Sequence, residues 1–106
     1  SYISMNDFKV DTLMININKS KLDLRFDSIS YISIQAKDSE IYLDGQKLET
    51  LVVNLDKTKL YTPIKKRIAT LSGSLKNTSD CTFYLSNNID IEADKTSTYD
   101  FYKYTN

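Results

Sequence analysis

Apolar and polar residues alternate along one short segment after another, the pattern of a β-strand with one face buried and one wet. Leu22, Leu24 and Phe26 share one phase, as do Ile32, Ile34 and Ala36, then Cys81, Phe83 and Leu85, then Ile89, Ile91 and Ala93. Leu13, Ile15 and Ile17 and the trio Leu51, Val53 and Leu55 sit in denser runs. There Met14 and Val52 add apolar groups on the second face, which predicts burial on both sides or a contact surface. A helical period is nearly absent.

Short polar clusters separate these runs at 18–20, 37–40, 77–80, 86–88 and 94–97, and they predict turns. Asn, Asp and Ser close turns by bonding their own backbone and by tolerating left-handed geometry, so a chain with 2 glycines can still turn often. Asp44-Gly45, between EIYL and QKLE, carries the type I′ hairpin signal. Slips of phase at Tyr31-Ile32 and Phe101-Tyr102 predict β-bulges. One segment, 62–71, reads two ways. Thr62 caps a short helix with Pro63 at its first position and Ile64, Ile68 and Leu71 along one face, giving a helix near 63–71. Alternatively Pro63 starts a strand through Ile68, Leu71 and Leu75, with Gly73 at a bend or close backbone approach.

Together these signals predict an all-β chain, a small antiparallel β-sandwich or barrel of about six to nine short strands. No linker, low-complexity stretch or internal repeat at a fixed period is read from it, so residues 1–106 are expected to form one domain.

Composition changes this picture mainly by exclusion. Fourteen basic and 14 acidic side chains cancel, and only Arg25 and Arg67 among the basic ones are arginines, so a nucleic-acid partner is not expected. No apolar run is long enough for a membrane span, and no secretory signal opens the given chain. The expected location is a virion, or the cytoplasm before assembly.

The chain has no histidine, which removes the usual general base, nucleophile activator and transition-metal ligand. Cys81 is the lone cysteine, so neither a disulfide within the chain nor a CxxC metal pair is available, and its phase marks it as a small core residue. Carboxylates such as Asp23, Asp90 and Glu92 fall on the polar phase of strands and read as solvated faces, not as a glycosidase pair. Asn87, Asn88 and Asp90 offer oxygens that suit calcium, but also read as an Asn-rich turn. Lys65, Lys66 and Arg67 form the only basic run, expected on a solvated turn or helix face. No enzyme activity, cofactor or metal is expected.

Tyrosine is abundant, 8 residues of 106, and it offers a large rigid contact with a polar tip. Tyr84, Tyr99, Phe101, Tyr102 and Tyr104 concentrate aromatic surface near the C-terminal end and form the candidate interface.

The stretch LSGSLKNTSDCTFYLSNNIDIEADKTSTYDFYKY has a rhythm of strand, Asn-Thr turn, strand ending in Tyr-Leu, polar turn, strand, and charged turn into an aromatic strand. At Asn77, Thr78, Tyr84, Leu85, Ile89, Ile91, Thr98 and Phe101 it resembles the C-terminal part of small β-sandwich virion proteins of tailed bacteriophages, among them head decoration, fibre, neck and tail components. That resemblance implies a non-enzymatic part assembled in symmetric copies on a particle. The expected function is therefore structural, through contacts with copies of itself or neighbouring virion proteins. The alternative is a carbohydrate-binding or adhesin module whose exposed tyrosines meet a surface glycan.

Overall fold

In the computed structural model, which describes residues 2–64, 68–84 and 86–102, the alternating segments are strands and no described residue is helical. In chain order they are β1 (Tyr2–Phe8), β2 (Thr12–Asn18), β3 (Lys21–Lys37), β4 (Glu40–Asp56), β5 (Lys59–Thr62), β6 (Ile68–Lys76), β7 (Asp80–Tyr84), β8 (Ser86–Ala93) and β9 (Thr98–Tyr102). All eight pairings among them are parallel. The chain therefore never doubles back. It winds as a β-solenoid of about five turns, which overturns the expected antiparallel sandwich or barrel.

β3 and β4 each run through two sides of the coil. On the first side, sheet one, the stack is β1, the start of β3, the start of β4, β5, β7 and β9. On the second side, sheet two, it is β2, the end of β3, the end of β4, β6 and β8. Like positions of successive turns lie above one another. Leu22, Ile41, Leu60 and Cys81 make one inward column; Leu24, Leu43, Thr62 and Phe83 make the next; Ile32, Leu51 and Leu71 make a third. These columns form a single buried cluster. Alternation misled because a coil whose two sheets face each other buries one face of every strand, as a sandwich does, whereas most parallel sheets are covered on both faces.

The corner between the end of one turn and the start of the next is built by a repeat. Ser20, Ser39, Thr58, Ser79 and Ser97 occupy the same place in consecutive turns, at intervals of 19, 19, 21 and 18 residues. Each of Ser39, Thr58, Ser79 and Ser97 accepts, on its hydroxyl, the backbone N–H of the equivalent residue one turn earlier, at 3.1 to 3.4 Å. Ser39 and Thr58 also donate to the carbonyls of Lys37 and Asp56, at 2.8 and 2.9 Å, and Ser79 to that of Lys76 at 2.8 Å. Both capacities of these buried hydroxyls are used, as burial requires. Just before them Lys19, Asp38 and Lys57 take the left-handed conformation, with φ of 52°, 51° and 49°, and the longer corner uses both Asn77 and Thr78. Their N–H groups keep the ladder unbroken: Lys19 N donates to Lys37 O, Asp38 N to Asp56 O and Lys57 N to Lys76 O. The chain thus has the internal repeat that was not read from it.

Several local expectations change with this architecture. Asp44-Gly45 is no hairpin; both residues lie inside β4, in register with Arg25 and Phe26. Gly45 is small because the Phe26 ring occupies the space a side chain would need. The helix expected near 63–71 is not formed by its described residues: β5 ends at Thr62, Ile64 bridges to Gly45, and β6 begins at Ile68. Gly73, at φ 138°, sits where a Cβ would overlap the Val53 carbonyl, the close backbone approach of the strand alternative. The phase slip near Tyr31 is a bend of the coil and not a bulge, since β3 and β4 stay in register from Ser28–Lys47 through Tyr31–Thr50. β7 and β9 likewise pair without a shift through Tyr84–Tyr102. Residues 86–88, expected as a turn, open β8. Met14 is 70% exposed, which removes burial on both sides and leaves a contact surface.

Candidate functional site

The outward columns give the two sheets different surfaces. On sheet one, Lys21, Glu40, Lys59 and Asp80 follow one another up the coil with alternating sign. Lys21 Nζ approaches Glu40 at 3.6 Å on an exposed surface. Beside them runs the column Asp23, Tyr42, Tyr61, Thr82 and Asp100. Tyr42 and Tyr61 are stacked, with ring centroids 5.4 Å apart and planes 14° apart. A groove of about 400 Å³ follows these two columns from Lys21 and Asp23 to Asp80 and Thr82. The Tyr42 hydroxyl titrates above its ordinary value, because of desolvation first and of Asp44 second.

At the lower end of the groove Asp23 Oδ1 is buried and has no hydrogen-bond partner. Arg25 Nε is 3.7 Å from it, beyond hydrogen-bond reach, while Tyr2 donates to the other oxygen at 3.4 Å. On sheet two the middle outward columns are uncharged up to their last member: Asn16, Gln35, Asn54 and Ser74 end on Glu92, and Met14, Ser33, Val52 and Ser72 end on Asp90. Ser74 Oγ donates to Asn54 Oδ1 at 3.0 Å.

Of the candidate interface residues, Tyr99 and Phe101 belong to the inward columns of the last turn and are half-buried. Phe101 packs against Phe83 with centroids 5.7 Å apart, and Tyr99 meets Phe101 edge to face at 5.7 Å and 88°. Tyr84 and Tyr102 pair through their backbones, and their side chains lie outside the described parts, as does the whole of Tyr104. Leu85 and the basic run Lys65, Lys66 and Arg67 also lie outside the described residues. The structure thus brings Tyr99 and Phe101 together as the last layer of the core.

The carboxylates do not converge. Asp23 faces outward on sheet one, whereas Asp90 and Glu92 are on β8 of sheet two. Asn87, Asn88 and Asp90 are strand residues whose side chains alternate, and Asn88 Nδ2 donates to Ala69 O at 3.2 Å. Among the described residues no three His, Cys, Asp or Glu side chains are grouped to hold a metal ion. Cys81 is fully buried, and burial first, with Asp80 second, pushes its thiol up to about 12, so it has no thiolate to offer near neutral pH. No helix among the described residues is long and apolar enough to cross a membrane.

Tyr42 and Tyr61 were not singled out in the sequence. The signal that finds them is the corner repeat: each stands three residues after its corner hydroxyl, Ser39 or Thr58, so aligning the turns stacks the rings.

The chain matches no protein-family model, and comparison with curated proteins and with solved structures finds no match. The β-sandwich implied by the virion resemblance is not the fold of this chain. Its quoted rhythm is the last turns of the coil, with Asn77 and Thr78 at a corner and Ile89, Ile91 and Phe101 in inward columns.

Proposed function

We propose that this chain is a non-enzymatic structural module that acts through protein–protein contacts, as an assembly component of a virion. One observation supports the contact part of this reading. The exposed large hydrophobic residues among those described are Tyr2, Ile3, Val10, Met14 and Ile89, all in the first or last turn. The same turns hold the half-buried residues Met5, Leu13, Ile15 and Ile17 at one end and Ile91, Tyr99 and Phe101 at the other. Apolar columns with no described turn stacked on them, beside strand edges whose backbone groups face outward, are surfaces that gain from a cover, by more coil or by another protein. The partner is a neighbouring virion protein or another copy of the chain. The absence of histidine and the neutral, buried thiol of Cys81 support a role without catalysis.

Two measurements test the reading. Sedimentation of the purified chain across a wide concentration range should show association, weakened by Ile89→Lys, a change at a residue already 46% exposed. Mass spectrometry of purified virus particles from cells that encode the chain should find it in the particle. A chain that sediments as a monomer throughout and is missing from every particle fraction is not an assembly component.

A further inference from the structure

The outward face of sheet two is set apart by what it lacks. Charged residues make up 26% of the chain, and on sheet one they fill an outward column from Lys21 to Asp80. On sheet two the column Thr12, Tyr31, Thr50 and Thr70 runs beside the two middle ones, and over the first four turns these three columns carry no charge at all. Met14 and Val52, whose second apolar face predicts a contact surface, both lie here. A face cleared of charge that holds Tyr31 and Met14 among small hydroxyl residues has the composition of an interface core.

Charge stands only at two borders of this face. Along one edge Asn18 is followed by Lys37, Asp56 and Lys76, which alternate in sign. At the last turn Asp90 and Glu92 close the two middle columns. These borders decide what fits. Take a second copy related by a twofold axis parallel to the strands and passing between the second and third turns. The second turn of each copy then faces the third turn of the other, the first faces the fourth, and every column meets itself with its turns reversed. Tyr31 lies over Thr50 of the second copy, Val52 over Ser33 and Met14 over Ser72, a large side chain on a smaller one each time. Gln35 meets Asn54, whose Oδ1 already accepts from Ser74 and whose amide N–H groups are left to donate. At the charged edge Lys37 meets Asp56 twice, once from each copy, while Asp90 and Glu92 project beyond the contact into water. A twofold axis along the coil would instead set Asp90 and Glu92 against the same carboxylates of the second copy.

We infer that two copies of this chain pack face to face through sheet two, with their coils antiparallel. Four turns spaced by about 4.8 Å and seven residues rising about 3.3 Å each give a flat face of about 450 Å² per copy, about 900 Å² in all. That is the size of a reversible complex and not of a permanent one. The contact goes beyond the apolar ends of the proposed function, with which it shares Met14 alone.

The test is sedimentation equilibrium of the whole chain from about 10 µM to about 1 mM, which should follow a reversible monomer–dimer equilibrium. Ser33→Lys, which puts two ammonium groups in the dry centre of the contact, should leave a monomer. Thr82→Lys on sheet one should dimerise as the unaltered chain does. Lys37→Glu and Asp56→Lys should each weaken the dimer roughly tenfold or more, because like charges then meet twice. An equimolar mixture of those two proteins should recover the dimer, since every such pair in the mixed dimer is again opposite in sign. This recovery separates a contact between copies from an effect inside one chain, and it carries the test if Ser33→Lys fails to fold. Ile89→Lys should lose any association beyond the dimer and keep the dimer itself, so the end contacts and this face fail separately. The inference is overturned if the chain stays monomeric at about 1 mM, if folded Ser33→Lys dimerises unchanged, or if the mixture associates no better than its components. It is overturned equally if Ile89→Lys abolishes the dimer.

Discussion

The middle turns and the terminal turns are made of the same kind of sequence, yet they have different physical states. In the middle, Leu24, Ile32, Ile34, Leu43, Leu51 and Val53 are all 0% exposed, because each has a turn stacked on either side of it and the opposite sheet in front. In the first turn Leu13, Ile15 and Ile17 carry the same alternation but have a neighbour on one side only, and they are half-buried. In the last turn Ile89 is 46% exposed for the same reason. In a stacked coil burial comes from neighbouring turns and not from the amphipathic strand itself, so an identical pattern is core in one place and surface in another. The first and last described turns are where large apolar residues stay exposed.

This contrast can be broken or sharpened by substitution. The largest effect is expected at Gly73, in the fourth turn, where a Cβ would overlap the Val53 main chain and φ is 138°. Gly73→Ala should fail to fold or lose more than about 4 kcal/mol in urea denaturation, since a backbone clash in a packed stack has no cheap relaxation. Next come matched truncations. Leu43→Ala in the third turn should cost ~2–5 kcal/mol, whereas Ile15→Ala in the first turn should cost about 1 kcal/mol, because part of its surface is wet already. Equal losses at the two sites would mean that the ends are covered in solution. In the corner, Thr58→Ala removes the acceptor for the Ser39 N–H and should cost ~1–3 kcal/mol, the penalty of an unsatisfied buried donor. Thr58→Ser should restore most of it.

The smallest effect is expected at the last corner, from Asp94. Its carboxyl is held down to about 2 by the N–H of Asn77 first and the Thr96 hydroxyl second. A folded value below the unfolded 3.8 favours the native state wherever the carboxylate is charged. That contribution is complete above the unfolded value and is lost as pH falls toward about 2. Asp94→Asn should therefore lower the urea midpoint at neutral pH, and the gap from the unaltered chain should close as the acid limb is descended. A gap constant down to pH 2 would mean that the Asn77 and Thr96 bonds do not favour the charged form of Asp94.

Much of the local structure was legible. The alternation of Leu22, Leu24 and Phe26, or of Ile32, Ile34 and Ala36, correctly assigns strand and inward face, and the polar clusters at 18–20, 37–40, 77–80 and 94–97 are corners. Cys81 was read as a core residue and is one. The groove was not legible: Tyr42 and Tyr61 are 19 positions apart and look unrelated until parallel register stacks them. The C-terminal aromatics drew attention by their density, although Tyr99 and Phe101 turn inward. The corner repeat escaped notice because its one shared feature, a hydroxyl, is Ser in four turns and Thr in one, and the intervals of 19, 19, 21 and 18 residues are unequal.

What the sequence by itself determined is therefore the strand content, the buried face of most strands and the places where the chain bends. These depend on interactions within a few residues: pleating puts alternate side chains on opposite faces, and short polar residues tolerate left-handed backbone. Only the tertiary structure decided that the strands run parallel, that their positions align into columns, and that two distant tyrosines share a groove. A strand with one wet face has the same two-residue period whichever way its neighbour runs. The choice of neighbour depends on the corners: a single left-handed residue and a hydroxyl bonded to the next turn carry the chain onward around the coil, where a two-residue hairpin would have sent it back.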